Sequence, residues 1–157
     1  MQSQKQKILW VDDEFANDVH GLRAYVYALE RGGEFEIVKI AHPDKALEML
    51  EKRTENFACI ILDMALPYGE RISREESESG NATGIVLEEK IKAIDKYEDI
   101  QIVVMMTLTF RQNQRVEDYC KENIQRCFFK AEESAKNFSE TIRDIIKKEA
   151  KKNQNEG

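Results

Sequence analysis

Three acidic side chains in a row, Asp12, Asp13 and Glu14, close the apolar run Ile8 to Val11, and a fourth, Asp63, stands at the exit of a second apolar run, Ala58 to Leu62. If the two runs are neighbouring strands, Asp12, Asp13 and Asp63 share one pocket. Carboxylates gathered in such a space repel one another unless a cation compensates them. Ligation by oxygen alone, with room for water, suits Mg²⁺ rather than Zn²⁺, which favours Cys and His. Two further polar residues also end apolar runs, Thr107 after "IQIVVMM" and Lys130 after "RCFF". A hydroxyl and an ammonium at adjacent strand tips can donate to phosphoryl oxygens while a metal neutralises others, which is the set that phosphoryl transfer needs. The competing reading is structural, with Asp12 and Asp13 capping a helix and Asp63 closing a turn.

The elements that must position these residues follow from periodicity. "KILWV", "FEIVKIA", "FACIILD", "IQIVVMMT" and "RCFFKA" are continuous apolar runs, the pattern of strands buried on both faces. Between them the apolar positions step by three and four. Val19, Leu22, Val26 and Leu29 mark a helix from Phe15 to Arg31 that Gly32 and Gly33 stop. Ala46, Leu47 and Leu50 mark a second, with Asp44 as its N-cap. Leu87, Ile91 and Ile94 mark a third, and Val116, Tyr119 and Cys120 a fourth. Phe138, Ile142, Ile145 and Ile146 stripe the last, where Asn137 and Glu140 have capping-box spacing. Strands alternating with helices imply right-handed crossovers and a parallel sheet covered on both faces, hence an α/β, doubly wound domain. The segment Tyr68 to Thr83, rich in Glu, Ser, Arg and Gly, is the one long irregular interval; it reads as a mobile solvated loop, with a docking element or lid as the alternative.

Composition narrows the function classes. The 157 residues, 41% hydrophobic, supply one core, and the 34% charged fraction clothes it. A formal net charge of -6 argues against nucleic-acid binding, and the basic "KKEAKK" (Lys147, Lys148, Lys151, Lys152) reads as the solvated end of a helix, in a polar tail that frays after about Lys151. No stretch approaches the roughly 18 apolar residues of a membrane span, and "MQSQKQK" lacks the apolar core of a secretory signal, so a cytoplasmic protein is expected. Cys59, Cys120 and Cys127 are odd in number and lack metal spacing, which fits reduced thiols in that compartment. His20 and His42 lie far in sequence from the acidic tips and read as surface or structural residues, and Met105 and Met106 as strand core.

With "DDE" at 12–14, "LDMALP" at 62–67, "MTL" at 106–108 and "FFKA" at 128–131, the chain resembles the receiver domain of two-component response regulators over about residues 6–148. The resemblance implies a five-stranded parallel sheet of order 2-1-3-4-5 with helices on both faces. It implies that Asp63 accepts phosphate from a histidine kinase or phosphotransfer protein, that Asp12, Asp13, Asp63 and the backbone carbonyl of Ala65 hold Mg²⁺, and that Lys130 pairs with the phosphorylated site. It further implies a switch made of Thr107 and Phe128 that biases a surface read by a downstream protein; Pro67, four residues after Asp63, fits the pattern. Three departures stand out: Ala131 follows Lys130 where the family usually has proline, Leu108 follows Thr107 where a small residue is usual, and sixteen residues separate Pro67 from Gly84 where about three are typical. Glutamates of that interval, Glu70, Glu75, Glu76 and Glu78, lie beside the predicted pocket and could select partners by charge.

The expected protein is thus a stand-alone receiver, a phosphoacceptor that catalyses at most its own phosphorylation and dephosphorylation. The alternative is a receiver-like interaction module that is not phosphorylated, motivated by the changes at Leu108 and Ala131. An aspartate-based phosphatase is disfavoured because Ala65 holds the place of its second acid. Flavin binding is disfavoured because "DDE" repels phosphate.

Overall fold

The structure, a computed structural model, describes residues 4–17, 21–107 and 113–155. Its strands are β1 (Gln6–Val11), β2 (Phe35–Ile40), β3 (Phe57–Asp63), β4 (Ile102–Met106) and β5 (Cys127–Phe129). They alternate with α1 (Arg23–Glu30), α2 (Pro43–Glu51), α3 (Thr83–Lys92), α4 (Gln114–Glu122) and α5 (Ala135–Asn155). All pairings are parallel, in the order β2-β1-β3-β4-β5. The α/β, doubly wound class therefore stands as the apolar pattern implied, and the 2-1-3-4-5 order as the resemblance implied.

Pleating divides the core between the two faces, because alternate side chains leave a strand on opposite sides. Leu9, Val11, Ile60 and Leu62 pack under α2 and α3 with Leu47, Leu50 and Leu87. Ile8, Trp10, Ile61 and Met105 pack under α1 and α5 with Leu22, Leu29, Phe138 and Ile142. Each of the strand residues just named is fully buried, which is why the strands read as unbroken apolar runs. No helix among the described residues is long and apolar enough to cross a membrane.

Four local expectations change. The first helix does not run from Phe15: a 3-10 turn, Asp13–Asn17, follows β1, with Phe15 N donating to Asp12 O (3.1 Å), and α1 begins at Arg23. Val19 and His20 lie outside the described residues. The cap of α2 is His42, whose Nδ1 accepts from Asp44 N (3.1 Å) ahead of Pro43 in the first turn. Asp44 is otherwise engaged, its carboxylate accepting from Glu70 N (3.0 Å) and Arg71 N (3.1 Å). The last helix starts two residues before Asn137, so the hydroxyl of Ser134 caps it by accepting from Asn137 N (3.1 Å), and the helix continues to Asn155 with Lys147, Lys148, Lys151 and Lys152 exposed.

The fourth change is the interval before α3. Instead of a solvated loop it is a folded cap on the domain, with Ile72 and Ser77 fully buried. Ser73 and Glu76 satisfy each other's backbone reciprocally: Ser73 N donates to Glu76 Oε2 (2.8 Å) and Glu76 N to Ser73 Oγ (3.0 Å). The chain then turns through left-handed Glu78, Ser79 and Gly80 (φ 54°, 59° and 93°), and Thr83 Oγ1 donates to Leu66 O (2.6 Å), closing the loop on the exit of β3. Because Ile72 is core rather than surface, Ile72→Ala is expected to cost about 2–5 kcal/mol. Thermal unfolding checks this; an unchanged melting temperature would mean that the segment is solvated.

Candidate functional site

Parallel strands place all their C-terminal ends on one edge, and the register sets the order there. Val11 lies opposite Leu62 and Asp63 opposite Met105, so Asp12 and Asp63 leave the sheet side by side. Met106 lies opposite Phe129, and Lys130 N donates to Met106 O (2.9 Å), which continues the ladder and sets Lys130 beside Thr107. At the exit of β3 the first turn of α3 rests on the backbone of Asp63. Gly84 N donates to Met64 O (2.9 Å), and a Cβ at Gly84 would stand 2.7 Å from Asp63 O. Only glycine fits that approach.

The side chains meet as the sequence suggested. Carboxylate oxygens of Asp12, Asp13 and Asp63 all lie within 4.8 Å of one another. Asp12 is fully buried and Asp63 nearly so, while Asp13 faces solvent. Lys130 Nζ stands 2.9 Å from Asp12 Oδ2, 3.6 Å from Asp63 Oδ2 and 3.8 Å from Glu14 Oε2. Glu14 was legible only as part of "DDE"; the structure makes it a fourth acid facing the ammonium. Thr107 follows β4 and is exposed on the same edge, as is Ala65, two residues beyond Asp63. Leu108 lies outside the described residues.

Burial, then the charge of Asp12, pushes the Asp63 carboxyl up to about 7, against the pull of Lys130. Asp12 is likewise raised, first by burial. Burial works to lower the Lys130 ammonium, but Asp63, Asp12 and Glu14 outweigh it and the net direction is up. Among the described residues, one cation thus faces a surplus of negative charge.

The residues present fit a hard divalent cation. The donors are oxygens, and their mutual spacing approaches that around Mg²⁺, whose ligands stand at about 2.0–2.1 Å. Asp12 Oδ2 is buried and faces the Lys130 ammonium at 2.9 Å, so this oxygen already attracts positive charge into the acidic edge.

Ala131 and Phe128 lie on either side of Lys130. The Lys130–Ala131 bond is trans, as the described residues contain no cis peptide. Phe128 packs edge-on against Phe138 (5.5 Å between ring centres) on the face under α1 and α5. Cys127 and Phe129, its neighbours in the pleat, occupy the face under α4. Phe128 is therefore on the opposite side of β5 from α4.

No protein-family model matches the sequence, and no curated protein matches it. Solved structures do. The chain is similar to a response regulator receiver domain protein from Clostridium thermocellum (19% identity, TM-score 0.62), covering 92% of this chain and 97% of that one. It is similar also to a response regulator from Desulfuromonas acetoxidans (19%, TM-score 0.61, covering 90% and 97%) and to a response regulator receiver protein from Sinorhizobium medicae (12%, TM-score 0.59, covering 92% and 96%). The chain has the receiver-domain fold. In that fold the acidic edge described above is the C-terminal edge of the sheet, where open α/β sheets bind ligands.

The raised Asp63 carboxyl has a consequence for stability without metal. Between roughly pH 4 and its folded value near 7 the folded protein holds a proton that the unfolded chain releases, so stability falls as pH rises through that window and stays lost above it. Asp63→Asn removes the charge. In EDTA the variant is expected to melt higher than the parent at pH 8, by about 3 °C or more, and the gap to close at pH 5. A lower melting point at pH 8 would contradict the electrostatic reading.

Proposed function

We propose that this receiver-fold chain is a phosphoacceptor in two-component signalling, with Asp63 as the acceptor. The observation that carries the reading is the convergence of three carboxylates on one strand edge with the Lys130 ammonium among them. Asp12, Asp13, Asp63 and the carbonyl of Ala65 would hold Mg²⁺, which supplies positive charge where phosphoryl oxygens gather.

In the step itself, an Asp63 carboxylate oxygen attacks the phosphorus of a phosphohistidine on a sensor kinase or phosphotransfer protein. The new P–O bond forms in line as the P–N bond breaks, and the electron pair leaves with the imidazole, which is then protonated. Lys130, already 3.6 Å from Asp63, moves its ammonium onto a phosphoryl oxygen, and the hydroxyl of Thr107 donates to another. The product is an aspartyl phosphate, and the protein's only catalysis is its own phosphorylation and dephosphorylation. The new dianion draws Thr107 and Lys130 toward it and shifts the face built of α4, β5 and α5, which a downstream protein reads. Three free thiols accord with work in the reducing cytoplasm.

Incubation with a small phosphodonor and millimolar Mg²⁺, followed by intact mass, tests this. The expected result is a gain of one phosphoryl group that EDTA prevents and Asp63→Ala abolishes. No gain, either from the donor or from a competent kinase, would instead make the chain a receiver-like interaction module.

A further inference from the structure

Lys130 sits on the connection between β5 and α5, and the residue after it, Ala131, lacks the fixed φ that a proline would give. What holds this turn is a side chain from the far end of the sequence. Tyr25, on α1, directs its hydroxyl at two carbonyls of the connection, Lys130 O (2.8 Å) and Glu133 O (2.6 Å), sharing one hydrogen between them. The amides of the same turn are spoken for within the strand region: Lys130 N donates to Met106 O (2.9 Å), and Glu132 N and Glu133 N donate to Phe129 O (3.1 Å each). The carbonyl on Lys130 itself is therefore fixed from α1.

The ring that carries the hydroxyl is itself fixed. It meets Phe138 edge-on at 5.6 Å and Trp10 at 6.5 Å, between centroids, and Trp10 is fully buried. Burial and the neighbouring Glu133 hold the phenol above its ordinary value, so it remains a donor through neutral pH. Arg143 on α5 donates to Ala28 O (2.9 Å) and Leu29 O (3.3 Å) at the end of α1, bracing the two helices on either side of the connection.

We infer that Tyr25 is a positioning residue for Lys130, pinning the backbone of the β5–α5 connection from α1 so that the ammonium reaches Asp12 and Asp63. It touches neither carboxylate and acts only through Lys130. The inference deepens the phosphoacceptor reading, on which its kinetic consequence rests; its geometric consequence does not depend on that reading.

The test is Tyr25→Phe, which keeps the ring and removes the hydroxyl, beside Tyr27→Phe, a residue 67% exposed on the same helix. Two readouts are taken well below the melting temperature. The first is acylation of lysines by an amine-reactive reagent, mapped residue by residue by mass spectrometry. Lys130, whose side chain is only 13% exposed and ion-paired, is expected to react several-fold faster in Tyr25→Phe and unchanged in Tyr27→Phe, with Lys7 and Lys96 constant in both. The second is the rate of phosphoryl uptake from a small phosphodonor with Mg²⁺, expected to fall about tenfold or more in Tyr25→Phe alone, since misplacing a catalytic group by about 1 Å costs up to a hundredfold. Equal Lys130 labelling in parent and variant overturns the inference. So does faster labelling at all lysines together, which would make Tyr25 a general stabiliser. A parent that takes up no phosphoryl group removes the acceptor role of Asp63, and the labelling comparison then still decides whether Tyr25 places Lys130.

Discussion

The constraint on which this structure turns is excess negative charge held in a place water reaches poorly. Asp12 is fully buried and Asp63 nearly so, and Asp13 and Glu14 crowd the same edge, while Lys130 brings a single positive charge. An ion pair of this kind contributes little by itself to stability, because desolvation offsets much of the attraction. Its value is directional: it fixes where the ammonium waits, 2.9 Å from Asp12 and 3.6 Å from Asp63. Among the described residues the acids outnumber the cations at this edge, and everything that brings the acids together works against their repulsion.

The force that wins is burial of the strands behind them. Val11 and Leu62, the residues immediately before Asp12 and Asp63, are fully buried, and Met105 opposite Asp63 is too. At about 1.5–3 kcal/mol for each such side chain taken out of water, a few neighbouring core residues exceed what a single displaced carboxyl costs. The same logic explains Gly84. The first turn of α3 must approach the Asp63 backbone closely enough to shelter it, and a side chain at that position would push the helix away.

What could be read from the amino acids follows the range of the interactions. Strands buried on both faces announce themselves as continuous apolar runs, and residues at their exits inherit a common edge from parallel topology alone, so Asp12, Asp13, Asp63, Thr107 and Lys130 were legible. The folded cap before α3 was not, although its local part carried a signal: Ser73 and Glu76 have capping-box spacing within an interval that composition marks as solvated. Its other anchor, the Asp44 carboxylate on Glu70 N and Arg71 N, spans 26 and 27 residues and has no signature in periodicity. Tyr25 belongs to the same class. Leu22, Tyr25 and Leu29 share a helical stripe, so its ring reads as core, but the carbonyls its hydroxyl holds are 105 and 108 residues away. The pleat decides which face Phe128 occupies, since one step along a strand exchanges the face under α4 for the face under α5.

The helices are not held alike, and this bears on which of them can move. Of the nine residues of α4 only Val116 is buried, whereas α3 and α5 each bury several. Tyr119 and Cys120 pack half-buried beside Val116, and polar contacts do the rest. The nearly buried Glu88 on α3 accepts from Tyr119 Oη on α4 and from Arg126 Nη1 (2.9 Å) ahead of β5, and Arg126 Nη1 also donates to Ile102 O (2.7 Å). Arg115 at the start of α4 donates to Glu76 O (2.8 Å) and pairs with Glu78 (3.6 Å), so the cap before α3 is fastened to the same helix. A helix seated on directional polar contacts with little apolar area can exchange one set of partners for another without opening a cavity, and elements that move are drawn from those of low local stability. Of the helices that flank the acidic edge, α4 meets that condition. Its contacts run through α3, whose first turn rests on Asp63, and through Arg126, one residue before β5 and the turn that carries Lys130.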